Sequence, residues 1–156
     1  MKEIPLTQGF VAIVDDAHYD RLAHRKYYYS KGYAVRIEVV DGKRKLIWMH
    51  REIMQTPEGM ETDHINGDRL DNRLANLRIC TTTQNQQNSR KKINNTSGYK
   101  GVTFDKGRGR RMWKAQTRYE GHYLHIGYFA DAKEAAIAYD EKVRELFGEF
   151  ARTNFS

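Results

Sequence analysis

An acid and an imidazole stand side by side at Asp63-His64, inside the run "ETDHINGDRLDNRLANLRICTTTQN" of residues 61–85. Amides follow at Asn66, Asn72, Asn76 and Asn85. Two causes produce such a run. Polar loops favour Asn and Asp, whose side chains bond nearby backbone and tolerate left-handed geometry. An oxygen-rich metal site also needs a carboxylate and an amide carbonyl near a general base. Phosphodiester hydrolysis suits such a site, because it calls for a nucleophilic water, a cation on the phosphoryl oxygen and help for the leaving 3′ oxygen. A neutral imidazole, with an ordinary pKa of about 6.5, can serve as the base. Mg²⁺ keeps several waters and takes one or two protein oxygens beside phosphate, roles open to Asp63 and to an Asn on a nearby helix. Adjacent residues on an ideal strand face opposite ways, so Asp63 and His64 cannot both aim inward unless the chain bends. "HINGD" offers that bend through Asn66-Gly67. On residue chemistry alone, the metal site and the Asx-rich loop both stand.

The elements around this run must position it. Residues 9–14, "GFVAIV", read as a short buried strand, and Asp15 or Asp16 opens a short helix after it. Tyr33, Val35, Ile37 and Val39 alternate as a strand, Asp41-Gly42 supplies a two-residue turn, and Lys45 to His50 returns as the partner. Lys43, Arg44 and Lys45 make that turn basic. A short strand at Arg78 to Thr81 gives way to a helix capped by Thr81 or Thr82 and running through Gln87. "RKKINNTSG" (90–98) is basic and then Asn/Ser/Gly-rich, which reads as a linker.

Beyond it, "YKGVTF", "MWKAQTRYE" and "HYLHIGYF" read as three strands, with turns at Gly107/Gly109 and at Glu120-Gly121. "DAKEAAIAYDEKVRELFG" is a helix whose apolar stripe is Ala132, Ala135, Ala136, Tyr139, Val143, Leu146 and Phe147. Asp131 and Glu134 have capping-box spacing, and Gly148 ends the helix. A helix across one face of this sheet leaves the other face open. The open face holds Lys114, Gln116 and Arg118, groups that reach phosphates or base edges; Trp113 shares the opposite parity with Ala115, Thr117 and Tyr119. Lys100, Arg108, Arg110 and Arg111 add charge around it. The fold class is therefore α+β: an N-terminal hairpin region and a small ββα core, then a three-stranded antiparallel sheet on one helix.

Length allows one ordinary domain or two small ones: 156 residues with a formal net charge of +7. Such a basic chain points to a polyanion, most often nucleic acid. A lone Cys80 excludes an intrachain disulfide and a cysteine-held zinc. No run approaches the roughly 20 apolar residues of a membrane span, and the N-terminus lacks a signal-peptide pattern, so the expected location is the cytoplasm.

"MHREIM" followed by "TDHINGDRLDNRLANLRICTTTQN" resembles the HNH nucleases of the ββα-metal class, in the phage and intron-encoded homing branch, across roughly residues 46–88. The resemblance implies His64 as general base, Asp63 and Asn85 as metal ligands, and Asn76 as the residue that pins the loop between the two strands. Asn as the last ligand suits Mg²⁺ better than Zn²⁺, and Mn²⁺ is expected to substitute. Asn66 and Asn72 fall to scaffolding. His50, in an "HR" pair, stays open between orienting a catalytic group, contacting phosphate and a structural role. His18, His24, His122 and His125 read as surface or DNA-facing. Residues 97–155 resemble the apetala-two type of plant DNA-binding domain, carried by the G-V, W-x-A, G-x-F, E-A-A-x-A-Y-D and N-F segments. That resemblance implies a sheet in the major groove, with Lys100, Arg108, Arg110, Arg111, Trp113, Lys114, Gln116 and Arg118 toward DNA.

Together these features lead to an expectation of a Mg²⁺-dependent, site-directed endonuclease on double-stranded DNA. Its parts are a nuclease domain (1–89), a basic linker (90–97) and a DNA-binding domain (98–156). A monomer, favoured here, would nick; a dimer or two sequential events would break both strands. The rival is a DNA-binding regulator with an inactive nuclease motif.

Overall fold

The computed structural model describes residues 1–89, 95–107 and 112–155. The chain divides into two compact units, Met1–Thr82 and Thr83–Ser156. Among the described residues, antiparallel sheets and four helices make it the α+β protein expected from sequence. No helix among them is long and apolar enough to cross a membrane.

In the first unit, β1 (Lys2–Pro5) pairs with β2 (Val11–Val14), which leads into α1 (Asp16–Ala23). β3 (Tyr28–Ser30), β4 (Tyr33–Val40) and β5 (Lys43–Trp48) form a meander. α2 (Met49–Met54) follows at once, and β6 (Glu61–His64) pairs with β7 (Leu77–Cys80). Ile4, Ala12, Val14, Leu22, Tyr27, Ala34, Met49, Ile53 and Leu77 close the core. The alternation of β5 does not continue to His50 as expected from sequence. Met49 and Ile53, four residues apart, are both buried in this core, and a helical turn is the geometry that brings them to one side. His50 therefore sits in α2, buried, rather than at a strand end. The strand read over 9–14 begins only at Val11, because Gln8 and Gly9 both have positive φ.

In the second unit, α3 (Thr82–Asn88) begins at the division. β8 (Val102–Asp105), β9 (Met112–Tyr119) and β10 (His122–Phe129) form a sheet with β9 central, and α4 (Ala132–Phe147) packs on it. Val102, Ala115, Ala135, Ala136, Tyr139 and Val143 are the buried core. Asp131 caps α4, accepting from Lys133 N (2.7 Å) and Glu134 N (3.2 Å). Gly101, at φ +76°, passes directly against the Tyr139 ring. The chain after α4 returns to the helix, where the buried Asp140 carboxylate accepts from Asn154 N (2.8 Å), Asn154 Nδ2 (2.9 Å) and Phe155 N (2.8 Å). Asn154 also exchanges hydrogen bonds with the Lys100 backbone, at 2.6 and 3.1 Å. Much of the expected linker, including Arg90, Lys91 and Lys92, lies outside the described residues.

Candidate active site and nucleic-acid interface

β6 stays regular through His64, and the turn begins there: Gly67 N donates to His64 O at 2.8 Å. The bend anticipated at this point falls at the strand's last residue, so Asp63 and His64 are buried on opposite faces of one ribbon, each 5% exposed. Across the ribbon from Asp63 is Arg78, whose Nε and Nη2 both donate to Asp63 Oδ2 at 3.0 and 2.9 Å. This charge-assisted pair anchors the Oδ2 oxygen of the carboxylate.

His64 packs against two rings. Its centroid is 4.9 Å from His50, edge-on, and 6.1 Å from Tyr33. The Asn72 amide, fully buried, lies 3.4 Å from His64 Nε2 through Oδ1. Asn72 Nδ2 donates to Leu70 O at 2.9 Å, which sets the amide's orientation. An oxygen facing Nε2 keeps the imidazole hydrogen there and makes Nδ1 the proton-accepting nitrogen. Burial holds the His64 imidazole below its ordinary pKa, against the opposing pull of Asn72 and of the carboxylates Asp63, Asp68 and Asp71. The group is therefore a neutral base at neutral pH.

The loop after His64 is fastened by its amides. Asn76 Oδ1 accepts from Asn66 N at 3.0 Å, and Asn76 Nδ2 donates to Asp71 O at 2.8 Å. Asn66 Oδ1 accepts from Asp68 N at 2.7 Å, forming an Asx turn. Asn72, read from sequence as scaffold, also touches the candidate base. Arg69 stacks over Tyr33, with its guanidinium 4.6 Å from the ring, and donates to Lys31 O at 3.2 Å. Tyr33, Arg69 and Arg78 are not legible as site residues in the sequence, because strand register and ring packing, rather than residue spacing, bring them here.

His50 Nδ1 is buried with no hydrogen-bond partner. Burial, reinforced by the positive charges that His64, Arg51 and Arg69 would add, pushes its pKa down to about 3. A folded-state value below the unfolded one means that the unfolded chain binds more protons. Stability is whole above the unfolded pKa of about 6.5 and declines as pH falls through it toward the folded value. At pH 5 keeping His50 neutral costs about 2 kcal/mol, at ~1.36 kcal/mol per pH unit. The first unit is thus expected to melt at lower temperature at pH 5 than at pH 7, and His50→Phe is expected to reduce that difference. Equal pH dependence of melting in both proteins would show that the ring is not held neutral.

Asn85 lies in α3, which the division of the chain assigns to the second unit. Asp63 and Asn85, the ligands expected from sequence, therefore fall in different units, and each would offer a hard oxygen. Cys80 is buried and its thiol is raised to about 11 by burial, so no thiolate competes for a soft metal. No cluster of three or more His, Cys, Asp or Glu occurs among the described residues. Few protein oxygens beside a phosphate fit an ion of the Mg²⁺ type.

In the second unit, alternation along β9 buries Ala115 and Thr117 toward α4, with Trp113 packed against that core. Lys114, Gln116 and Arg118 stand on the outer face. Register sets Tyr128 across from Lys114, His125 from Gln116 and Tyr123 from Arg118. A bulge between His125 and Gly127 flips the parity of β10 and brings Tyr128 to this face. Tyr123 is 74% exposed, and the Arg118 guanidinium lies 5.9 Å from its ring. Lys100 points elsewhere: it donates to Gln87 O, and burial lowers its pKa to about 8. Arg108, Arg110 and Arg111 lie outside the described residues.

Residues 55–87 match a family model described as HNH endonuclease. The chain is similar to "Protein 3.8" of Escherichia phage T7, 36% identical over 96 residues that cover 62% of this chain and 77% of that one. It is also similar to "Uncharacterized HNH endonuclease L560" of Acanthamoeba polyphaga mimivirus, 30% identical over 154 residues covering 94% of this chain and 76% of that one. No solved structure matches.

Proposed function

For a chain that belongs to the HNH endonuclease family, we propose a site-directed DNA endonuclease of the homing type that hydrolyses one phosphodiester per active site in double-stranded DNA. The observation that carries this reading is His64: buried, neutral, and held by Asn72 in the tautomer that leaves Nδ1 to accept a proton. In this reading Nδ1 takes the proton of the attacking water. Tyr33 and His50 keep the ring from turning, and Arg78 keeps the Asp63 carboxylate in place. Asp63 and Asn85 would hold one divalent ion, Mg²⁺ with Mn²⁺ as a substitute, which supplies a positive charge for the phosphate and the leaving oxygen.

Residues 1–89 form the hydrolytic domain, 90–97 a basic linker, and 98–156 an apetala-two-type domain that reads the target. The exposed row of Arg118, Tyr123 and His125, with Lys114 and Gln116 beside it, suits phosphates and base edges in a major groove. One active site cuts one strand, so a monomer, the state favoured here, would nick, and a dimer or two sequential events would break both strands.

The test is incubation with supercoiled plasmid and Mg²⁺, with and without EDTA. Nicked product that EDTA abolishes is expected, with an acid limb of the rate below pH 6.5 because burial keeps His64 neutral there. DNA binding without any product, in Mg²⁺ or Mn²⁺, would leave a DNA-binding protein with an inactive site.

A further inference from the structure

α3 is only seven residues long, Thr82–Asn88. An isolated helix shorter than ~12–15 residues is marginal in water, so α3 takes its place from what it docks on. Its last carbonyls have no partner within the helix and must find one outside it. Ser89 Oγ donates to Gln86 O at 2.6 Å, the Lys100 ammonium donates to Gln87 O, and Arg152 Nη1 donates to Asn88 O at 3.5 Å. Two cations at a helix C-terminus also complement its dipole. The Gln87 side chain, 6% exposed, makes a second attachment. β8 pairs with β9 only as far as Ala115; beyond it Gln87 Nε2 donates to Arg118 O at 3.0 Å, and Thr117 Oγ1 donates to Gln87 Oε1 at 3.5 Å. Lys100 is itself fastened, because its backbone bonds to Asn154, which the buried Asp140 carboxylate holds against α4. Every one of these partners belongs to the second unit.

We propose that Lys100 and Arg152 are positioning residues for the metal ion: they hold the end of α3, and with it Asn85, the ligand on that helix. The inference rests on the nuclease reading above, in which Asn85 is a ligand. The second unit then has two tasks, reading the target and carrying a ligand of the ion. Hydrolysis is thereby tied to the folded reader, because loosening the second unit frees Asn85. The apetala-two resemblance gives Lys100 a different role, on DNA. Its surroundings argue against that. The ammonium is engaged with a helix carbonyl, and burial, with the neighbouring charge of Arg152, lowers its pKa to about 8. A phosphate contact calls for an exposed and fully charged lysine instead.

The test uses the full chain. Mn²⁺ binding is measured by electron paramagnetic resonance on complexes with a duplex that the wild type cuts, in a His64→Ala parent that leaves the duplex intact. Asn85→Ala sets the reference for a lost ligand. Lys100→Met keeps the stem and removes the ammonium. It is expected to weaken Mn²⁺ binding roughly 10-fold, the lower end of what outer partners of a metal ligand contribute. Amide hydrogen exchange at residues 86–89 should speed up, while duplex affinity and its salt dependence stay as in the parent. Lys100→Arg, which restores a cation, should recover both Mn²⁺ binding and slow exchange. Unchanged Mn²⁺ binding in Lys100→Met overturns the proposal. A slope of log K against log salt shallower by about 0.9 would then give Lys100 to a phosphate, and a lower melting temperature alone would leave it a structural role. If Lys100→Met does not fold, Arg152→Met takes its place, and unchanged Mn²⁺ binding in that folded variant overturns the proposal equally. Unchanged binding in Asn85→Ala removes Asn85 as a ligand and the proposal with it. Weakened binding in Asn85→Ala beside unchanged binding in Lys100→Met removes the positioning role alone.

Discussion

Replacing His64 with alanine is expected to slow cleavage by about 10²- to 10⁴-fold, the usual contribution of a general base, while duplex affinity stays unchanged. The ring is buried against His50, Tyr33 and Asn72 and carries no charge when neutral, so its removal takes away chemistry and little phosphate binding. Asn72→Ala makes a second, graded test. It leaves the imidazole in place but frees its tautomer, so the rate should fall less than with His64→Ala. Single-turnover cleavage under saturating protein separates the chemical step from binding. Comparable rates in the wild type and His64→Ala would remove His64 from the reaction.

Gly101→Ala is expected to be the most damaging single methyl group in the second unit. A Cβ at this position would lie 2.0 Å from Tyr139 Cε2 and 2.1 Å from Cδ2, and the backbone φ of +76° already disfavours an L side chain. Tyr139 is 2% exposed and cannot swing into solvent. Left-handed backbone costs about 1–2 kcal/mol and overpacking about 1–3 kcal/mol, so the loss is about 2–5 kcal/mol. At ~4–8 °C per kcal/mol for a unit of this size, melting should drop by at least about 8 °C. Gly98→Ala is the matched control: its φ is +79° but nothing lies within 4 Å of the added Cβ. If the two alanine variants melt together, the ring gives way and the close approach is not what requires glycine.

The parts of this protein that are legible in its sequence are those written in local spacing. The α4 stripe buries Ala135, Ala136, Tyr139 and Val143 where a 3.6-residue period puts them, and Asp131 caps the helix as its spacing predicts. The short strand read over Arg78 to Thr81 appears as β7, Leu77–Cys80. What escapes depends on which residue faces which across a gap in sequence. Arg78 meets Asp63 through strand register, and Tyr33 meets His64 from another sheet. Tyr128 joins the outer face because one extra residue at the bulge shifts the alternation, and residue type does not announce it. His50 reads as a strand end because "KLIWMH" alternates like a strand up to the point where Met49 and Ile53 demand a helix.

The clasp between Asp140, Asn154 and Lys100 sets an order of events during synthesis. Its hydrogen bonds join residue 154 to positions 14 and 54 residues earlier, so they cannot form until Asn154 has left the ribosome. Translating Thr83 to Asn154 takes roughly 4–15 s at ~5–20 residues per second, and domains tend to fold in the order they emerge. Met1–Thr82 holds the packed His64 and Asp63 and can condense during that interval. A nascent chain therefore spends seconds with its proposed base in a packed unit while the second unit, with Asn85, is still unclasped.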